Sequence, residues 1–332
     1  MRTGIFLLTE NYHGTAGETI RNDIELGVYA EALGLDEVWF AEHHFNAFSL
    51  IPNPTLMMAA LAARTTRIRI GSAALLAPFY QSIRLAEEIA TLDNLSLGRI
   101  NAGFAKGGFA YDVEHFEKSP QNLREEMFER VEKIDERLSG YPLLEPKPLQ
   151  NKVPFYIATF STTETIAFAA KHGYGLMFSQ GATLKQCVEA QELYDAIAGF
   201  YPEIVLMRVF CVAEDHESAY KQALPATDHF IKCMRAVQAK AEKPDFHQAN
   251  YEALLNQRYQ FFDGKVFLDN AILGNIGECA AQIVQLKRSI RHLHLVLKPA
   301  SSSAEQTREM LKIFSRDIRP EIERIKVPEG EM

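Results

Sequence analysis

Short apolar runs alternate with amphipathic segments from one end of this chain to the other, and that alternation restricts it to folds built on a parallel sheet. Gly4-Ile5-Phe6-Leu7-Leu8 is apolar on both faces, as a buried parallel strand must be. Residues 18–33 follow at helical spacing (Ile20, Ile24, Gly27-Val28, Glu31-Ala32), closed by Gly34, and Glu37-Val38-Trp39-Phe40 reads as the second strand. The theme repeats with a helix over about 54–65 before Ile68–Ala74, and a helix from Ser82 to Leu95 before Arg99–Phe104. A helix over about 121–138 ends near Gly140 and gives way to a proline-rich connector (Pro142, Pro146, Pro148). Further strands are predicted at Phe155–Ala158, Gly175–Phe178, Ile204–Phe210 and His294–Leu297, with a last helix near 303–325. Eight strands and about eight helices in strict alternation predict an α/β chain of the closed (β/α)8 TIM barrel type, one domain over 1–332. An open doubly wound sheet usually has fewer strands, and no Gly-x-Gly-x-x-Gly follows the first one. One stretch breaks the period, an insertion at about 225–270 rich in aromatics (Phe246, Tyr251, Tyr259, Phe261, Phe262, Phe267). It reads either as a lid over a pocket or as extra helices packed outside.

Bulk properties remove several function classes. A net charge of −8, with no Lys/Arg cluster beyond scattered pairs, argues against nucleic acid as a partner. Cys187, Cys211, Cys233 and Cys279 lie far apart, without the close pairs of zinc or redox motifs, and read as reduced thiols. No apolar run approaches the roughly 18 residues of a membrane span. The N-terminus lacks the features of a signal peptide, so a cytoplasmic protein is expected.

In barrels of this type chemistry collects where strands end. After the second strand stands Glu42-His43-His44-Phe45. Adjacent side chains on an extended segment point to opposite sides, so one histidine is expected to face the pocket, where it could move a proton near neutral pH. A lone histidine there would read as a loop cap, but two in a row beside a glutamate favour function. Gly71-Ser72-Ala73-Ala74 would let a flat ligand approach the backbone, although small residues equally fit the barrel taper. After the fourth strand, Phe104-Ala105-Lys106-Gly107-Gly108 sets a cation among glycines, as a phosphate site requires. After the fifth, Thr159-Phe160-Ser161-Thr162-Thr163-Glu164 is a hydroxyl-rich helix entry, suited to an anion or to ordinary N-capping. His292-x-His294 raises a metal alternative, but Leu297-Lys298-Pro299 supplies no aspartate after the eighth strand, so no metal is expected. Nor is there a Gly-x-Ser-x-Gly elbow for nucleophilic catalysis.

Taken together, Gly4–Thr9, Ala30–Phe45, Ile70–Ala74, Leu92–Arg99, Tyr156–Ala158 and Ile272–Asn275 resemble the bacterial luciferase-like flavin-dependent monooxygenases, most specifically from Trp39 to Phe45. The resemblance implies reduced FMN delivered by a separate flavin reductase. With O2 it would form a C4a-peroxyflavin that oxidises a small organic substrate, an aldehyde in the luciferases. Position by position, His43 matches the catalytic histidine, and Ala73-Ala74 matches a non-prolyl cis peptide beneath the flavin ring. Lys106 stands where luciferase has an arginine on the FMN phosphate, and Ala158, Thr159, Phe160 and Thr163 fall at the remaining cofactor positions. This chain has Ala105-Lys106-Gly107 in place of Cys-Arg-Gly, which exchanges a planar fork for a point charge. Neither light emission nor an aldehyde substrate is implied. Two alternatives stay open: hydride transfer with FMN or the deazaflavin F420, and flavin binding without catalysis. A homodimer through the second and third helices is also implied, and Leu56, Ala59, Ala60 and Ala63 would allow close packing there.

Overall fold

The computed structural model describes residues 1–12, 14–239 and 264–324. The first half runs β1 (Arg2–Leu7), α1 (Ala16–Ala32), β2 (Glu37–Phe40), α2 (Pro54–Ala62), β3 (Arg69–Ser72), β4 (Leu75–Leu76), α3 (Ser82–Leu95), β5 (Ile100–Ala105), α4 (Ala110–His115) and α5 (Leu123–Gly140). The second half runs β6 (Phe155–Ala158), α6 (Thr163–His172), β7 (Gly175–Phe178), α7 (Leu184–Ala198), β8 (Glu203–Val212) and α8 (His216–Ala239). After the undescribed 240–263 come α9 (Gly264–Asp269), β9 (Ile272–Gly274), α10 (Ile276–Ser289), β10 (His292–Pro299), α11 (Ala304–Ile313) and α12 (Arg319–Arg324).

All strand pairs are parallel, in the order β10-β1-β2-β3-β5-β6-β7-β8, and β8 pairs back onto β10 to close an eight-stranded (β/α)8 TIM barrel. The strands carry the near-continuous apolar runs that two-sided burial demands, with Val38, Trp39, Phe40, Ile204, Val205 and Leu206 fully buried. Two short strands escaped the periodicity: β4 adds to β5, and β9 adds to β8. With two and three residues, neither offers enough positions for a period to emerge. The single helix expected near 303–325 is divided by a π-helical turn at Phe314–Ile318 that buries Phe314 and Ile318 completely.

Small residues admit close packing inside the ring. A Cβ on Gly71 would lie 2.3 Å from the Trp39 indole, so this glycine serves the interior packing rather than a ligand. The N-terminal end of the barrel is closed by a polar floor. Glu37 lies at its centre and accepts hydrogen bonds from Trp39 Nε1 at 3.0 Å and His294 Nδ1 at 3.2 Å. His294 Nε2 lies 3.7 Å from Glu203, whose other oxygen accepts from Tyr156 Oη at 2.6 Å. Burial alone would lower the His294 pKa, but hydrogen bonds and charge from Glu203 and Glu37 outweigh it and hold the imidazole up at about 8. The histidine considered as a metal ligand is therefore an ion-paired structural group at the end of the barrel opposite His43, and His292 is exposed. Among the described residues no cluster of three or more His, Cys, Asp or Glu could hold a metal ion. None of the described helices is long and apolar enough to cross a membrane.

Candidate active site

The C-terminal mouth of the barrel opens into a cavity of about 400 Å³. His43, Ala73, Ala74, Lys106, Ala158, Thr159 and Phe160, expected from sequence at separate strand ends, all line it. Thr163 does not. It is the first residue of α6, with its side chain turned to solvent, and the neighbouring hydroxyls Thr162 and Thr165 line the wall instead. The mouth follows the ring: Phe6 and Leu8 from β1 and its exit, His43 after β2, Ala73 and Ala74 after β3. Lys106 follows β5, Thr159 and Phe160 follow β6, Ser179 and Gln180 follow β7, and Met207 comes from β8.

His43 is fixed at one nitrogen. Its Nδ1 lies 2.6 Å from Ser49 Oγ, and Ser49 Oγ donates its proton to the Leu8 carbonyl at 2.7 Å. A hydroxyl has a single proton to give, so Nδ1 must be the donor in the first bond. The neutral ring consequently carries its lone pair on Nε2, which has no protein partner among the described residues. Burial pushes the His43 pKa down to about 4, with the charge of His44 adding to the shift, so the ring is neutral at physiological pH. As sequence reasoning anticipated, only one of the paired histidines lines the cavity. His44 turns away, where its Nε2 hydrogen-bonds Glu42 at 2.8 Å. The other Glu42 oxygen accepts from Leu76 N at 3.1 Å and Tyr80 Oη at 2.9 Å. Burial nevertheless raises the Glu42 carboxyl above its ordinary range, against those hydrogen bonds.

The wall that follows β5 and β6 suits an anion. Gly107 and Gly108 adopt φ of 70° and 126°, the left-handed region glycine tolerates best, and they carry the backbone past Lys106. Thr162 is the N-cap of α6, yet makes no side-chain bond to the first-turn amides, because its hydroxyl is directed to Thr165 Oγ1 at 3.0 Å. Ordinary side-chain capping, the bland reading of this hydroxyl-rich stretch, is thus not made. A helix N-terminus left this way attracts negative charge. Arg124, at the start of α5, lines the same cavity and reaches Glu164 at 3.3 Å. Sequence reasoning missed it because it lies 18 residues beyond Lys106 on a surface helix with no strand-end signature. The peptide joining Ala73 to Ala74 is cis. Met127, Met177, Phe109, Phe230 and Phe267 complete an apolar lining. The last two lie within the expected insertion, near its two ends, and both face the cavity, while Phe246, Tyr251, Tyr259, Phe261 and Phe262 lie outside the described residues.

A barrel with this mouth matches the model of the luciferase-like monooxygenases over residues 1–292. The chain belongs to that family. It is 29% identical over 216 residues to an alkanal monooxygenase alpha chain of Photorhabdus luminescens, covering 60% of this chain and 59% of that one. It is likewise 29% identical over 222 residues to the oxygenase component of a flavin-dependent trigonelline monooxygenase of Acinetobacter baylyi, covering 59% and 60%. The matches thus span about three-fifths of these relatives' lengths. Among solved structures, the monooxygenase RslO1 of Streptomyces bottropensis superposes with a TM-score of 0.82 at 23% identity, covering 97% of this chain and 99% of that one. At that identity the likeness speaks for the fold.

Proposed function

We propose that this member of the luciferase-like family is a monooxygenase that uses reduced FMN and O2 to oxidise a small organic substrate, its flavin supplied by a separate reductase. The observation that carries the reading is one cavity holding two complementary ends. At one end, the helix terminus of α6 and its hydroxyls meet Lys106 and Arg124, which suits a phosphate monoester. At the other stands His43, with its Nε2 lone pair available. Ala73, Ala74 and Ala158 leave a flat wall between them on which a planar ring can lie. A flavin held there supplies the electrons and the reaction with O2.

The protein's part is to bind, shield and move a proton. Lys106, Arg124 and the α6 amides hold the phosphate, and Thr159 and Phe160 close that end. Apolar side chains exclude water from the ring, which strengthens every polar contact made inside. His43 Nε2 accepts a proton from the reacting centre or hydrogen-bonds an anionic group there, and the Ser49 bond keeps that nitrogen in place. The trigonelline relative is named an oxygenase component, which supports a separate reductase here. Exposed Leu56 on α2 supports pairing of two copies through α2 and α3.

Anaerobic titration with FMNH2, reduced riboflavin, F420H2 and oxidised FMN, followed by admission of air, tests the reading. FMNH2 should bind tightest, and air should produce a transient absorbance altered in His43→Asn. Lys106→Ala and Arg124→Ala should weaken FMNH2 roughly 10-fold or more while leaving reduced riboflavin, which lacks the phosphate, nearly unaffected. Preference for F420H2 without any response to O2 would move the chain to hydride transfer, and failure to bind any flavin would refute the cofactor assignment.

A further inference from the structure

Gln180 combines three properties that rarely coincide. It lines the cavity, it is only 4% exposed, and its side-chain Nε2 has no hydrogen-bond partner among the described residues. A buried amide donor left unmade is destabilising by an amount that folded proteins seldom tolerate without a reason. Its backbone is held firmly, since the Gln180 carbonyl accepts from the buried Arg208 guanidinium at 3.4 Å. The amide is thus carried on an anchored segment and is itself unanchored.

Its place in the ring sets it across from His43 and one strand beyond the β6 exit, whose Thr159 and Phe160 are assigned to the flavin. His43 follows the second strand of the eight and Gln180 the sixth, β7, so the two stand across the mouth from each other. The lysine and arginine that line the cavity, Lys106 and Arg124, belong to the β5–α5 quarter with the α6 terminus. From β7 on through β8 to β1 the described lining is Ser179, Met177, Met207, Phe230, Phe267 and Phe6, none of them charged. The cations nearest this quarter, Arg208 on the Gln180 carbonyl and Lys298 beside Phe230 and paired with Glu10, do not line the cavity, so a carboxylate or sulfonate would meet no counter-charge on this wall, and burying one unpaired is strongly unfavourable. A neutral acceptor or donor would satisfy the amide.

Building on the monooxygenase reading, we infer that Gln180 is the residue that recognises the substrate, and that the substrate is an uncharged, mostly apolar molecule bearing one hydrogen-bonding group such as a carbonyl. The apolar body lies against Met207, Phe230 and Phe267, and the polar group meets the Gln180 amide across the mouth from His43. That fixes which end of the molecule is presented to the flavin.

The test uses the full chain loaded anaerobically with FMNH2, and equilibrium binding of three probes that differ only at the head: 2-decanone, decane and decanoate. Wild type should hold the ketone above the other two, and Gln180→Leu should lose about 10-fold of the ketone's advantage over decane with FMNH2 affinity unchanged. In the ligand-free protein the same substitution should raise the unfolding temperature, because it removes a polar group with no partner. Gln180→Glu should weaken the ketone and should not favour decanoate. An unchanged preference in Gln180→Leu would overturn the assignment. So would a fall in FMNH2 affinity, which would give the amide to the flavin, or a lowered unfolding temperature, which would make it structural. If wild type holds the three probes alike, or none of them, the substrate class is wrong. Failure of wild type to bind FMNH2 would instead refute the cofactor reading itself.

Discussion

Raising the pH from about 6 to about 9.5 should deprotonate the polar floor of the barrel, and the loss of stability can be worked from one residue. His294 is held at about 8 against 6.5 for an exposed imidazole, because the hydrogen bonds and charges of Glu203 and Glu37 outweigh its burial. The upward shift is 8 minus 6.5, or about 1.5 units, which at about 1.36 kcal/mol per unit gives about 2 kcal/mol. Since the folded-state pKa is the higher one, the contribution is complete below about 6.5 and is lost as the pH rises through about 8. The chain's one tryptophan reports on this region directly, because Trp39 Nε1 donates to Glu37. Urea unfolding followed by its fluorescence, in wild type and His294→Gln, isolates the term. Wild type should lose about 2 kcal/mol more than the variant across this range. The variant should already be weaker at pH 6, since it leaves the buried Glu37 carboxylate with only the half-exposed Arg2, at 3.4 Å, as its cation. Equal pH dependence in the two proteins would show that His294 is not protonated in the native state.

Other outcomes follow from the site. Ser49→Ala removes the acceptor that sets the His43 tautomer and should lower turnover about 10-fold, with anaerobic FMNH2 binding retained; a parallel loss of binding would contradict the tautomer argument. Because His43 is held at about 4, its loss in His43→Asn should slow oxidation by about 10²–10⁴ evenly from pH 5.5 to 8; a wild-type rate that instead falls with a midpoint near 6.5 would mean the imidazole titrates normally. Asp112 is fully buried with neither oxygen hydrogen-bonded among the described residues, and burial pushes its carboxyl up to about 6 from 3.8. The native state therefore loses stability as pH rises from about 3.8 through 6, and Asp112→Asn should stabilise the protein by about 2–3 kcal/mol at pH 7.5 and hardly at pH 4; calorimetry at both values decides it.

Much of this molecule was legible in its residues because parallel barrel strands are apolar on both faces and are followed by functional loops. Phe155–Ala158 and Gly175–Phe178 form strands with the limits read from sequence, and β2 does so with Glu37 and Phe40 at its ends. The positions of His43 and Lys106 at the mouth were legible because each stands within three residues of the end of such a strand. Gln180 was not, although it too follows a strand, since a single glutamine in a turn has no pattern that sets it apart. Its importance lies in what surrounds it and in what it lacks. Arg124 was hidden for another reason: it reaches the mouth from a helix whose sequence reads as an ordinary charged surface. The floor was missed because Glu37, Asn101 and His294 come from three distant strands, and only ring closure brings them together. Charged residues near the start of otherwise apolar strands were the available sign.

The methionines of the cavity wall have a bearing on how tightly the mouth can discriminate shape. Met127, Met177 and Met207 are all 4% exposed or less, and each is an unbranched thioether with several accessible rotamers. Such a lining is compliant: a bulge on a guest molecule is met by rotation about side-chain bonds, without displacement of the strands behind. Selection by outline is therefore soft along these three positions, and selection by polarity, at the few groups that hydrogen-bond, is stiff. A barrel equipped in this way can change which molecules it accepts through one polar exchange at a strand end, while its packed interior stays as it is.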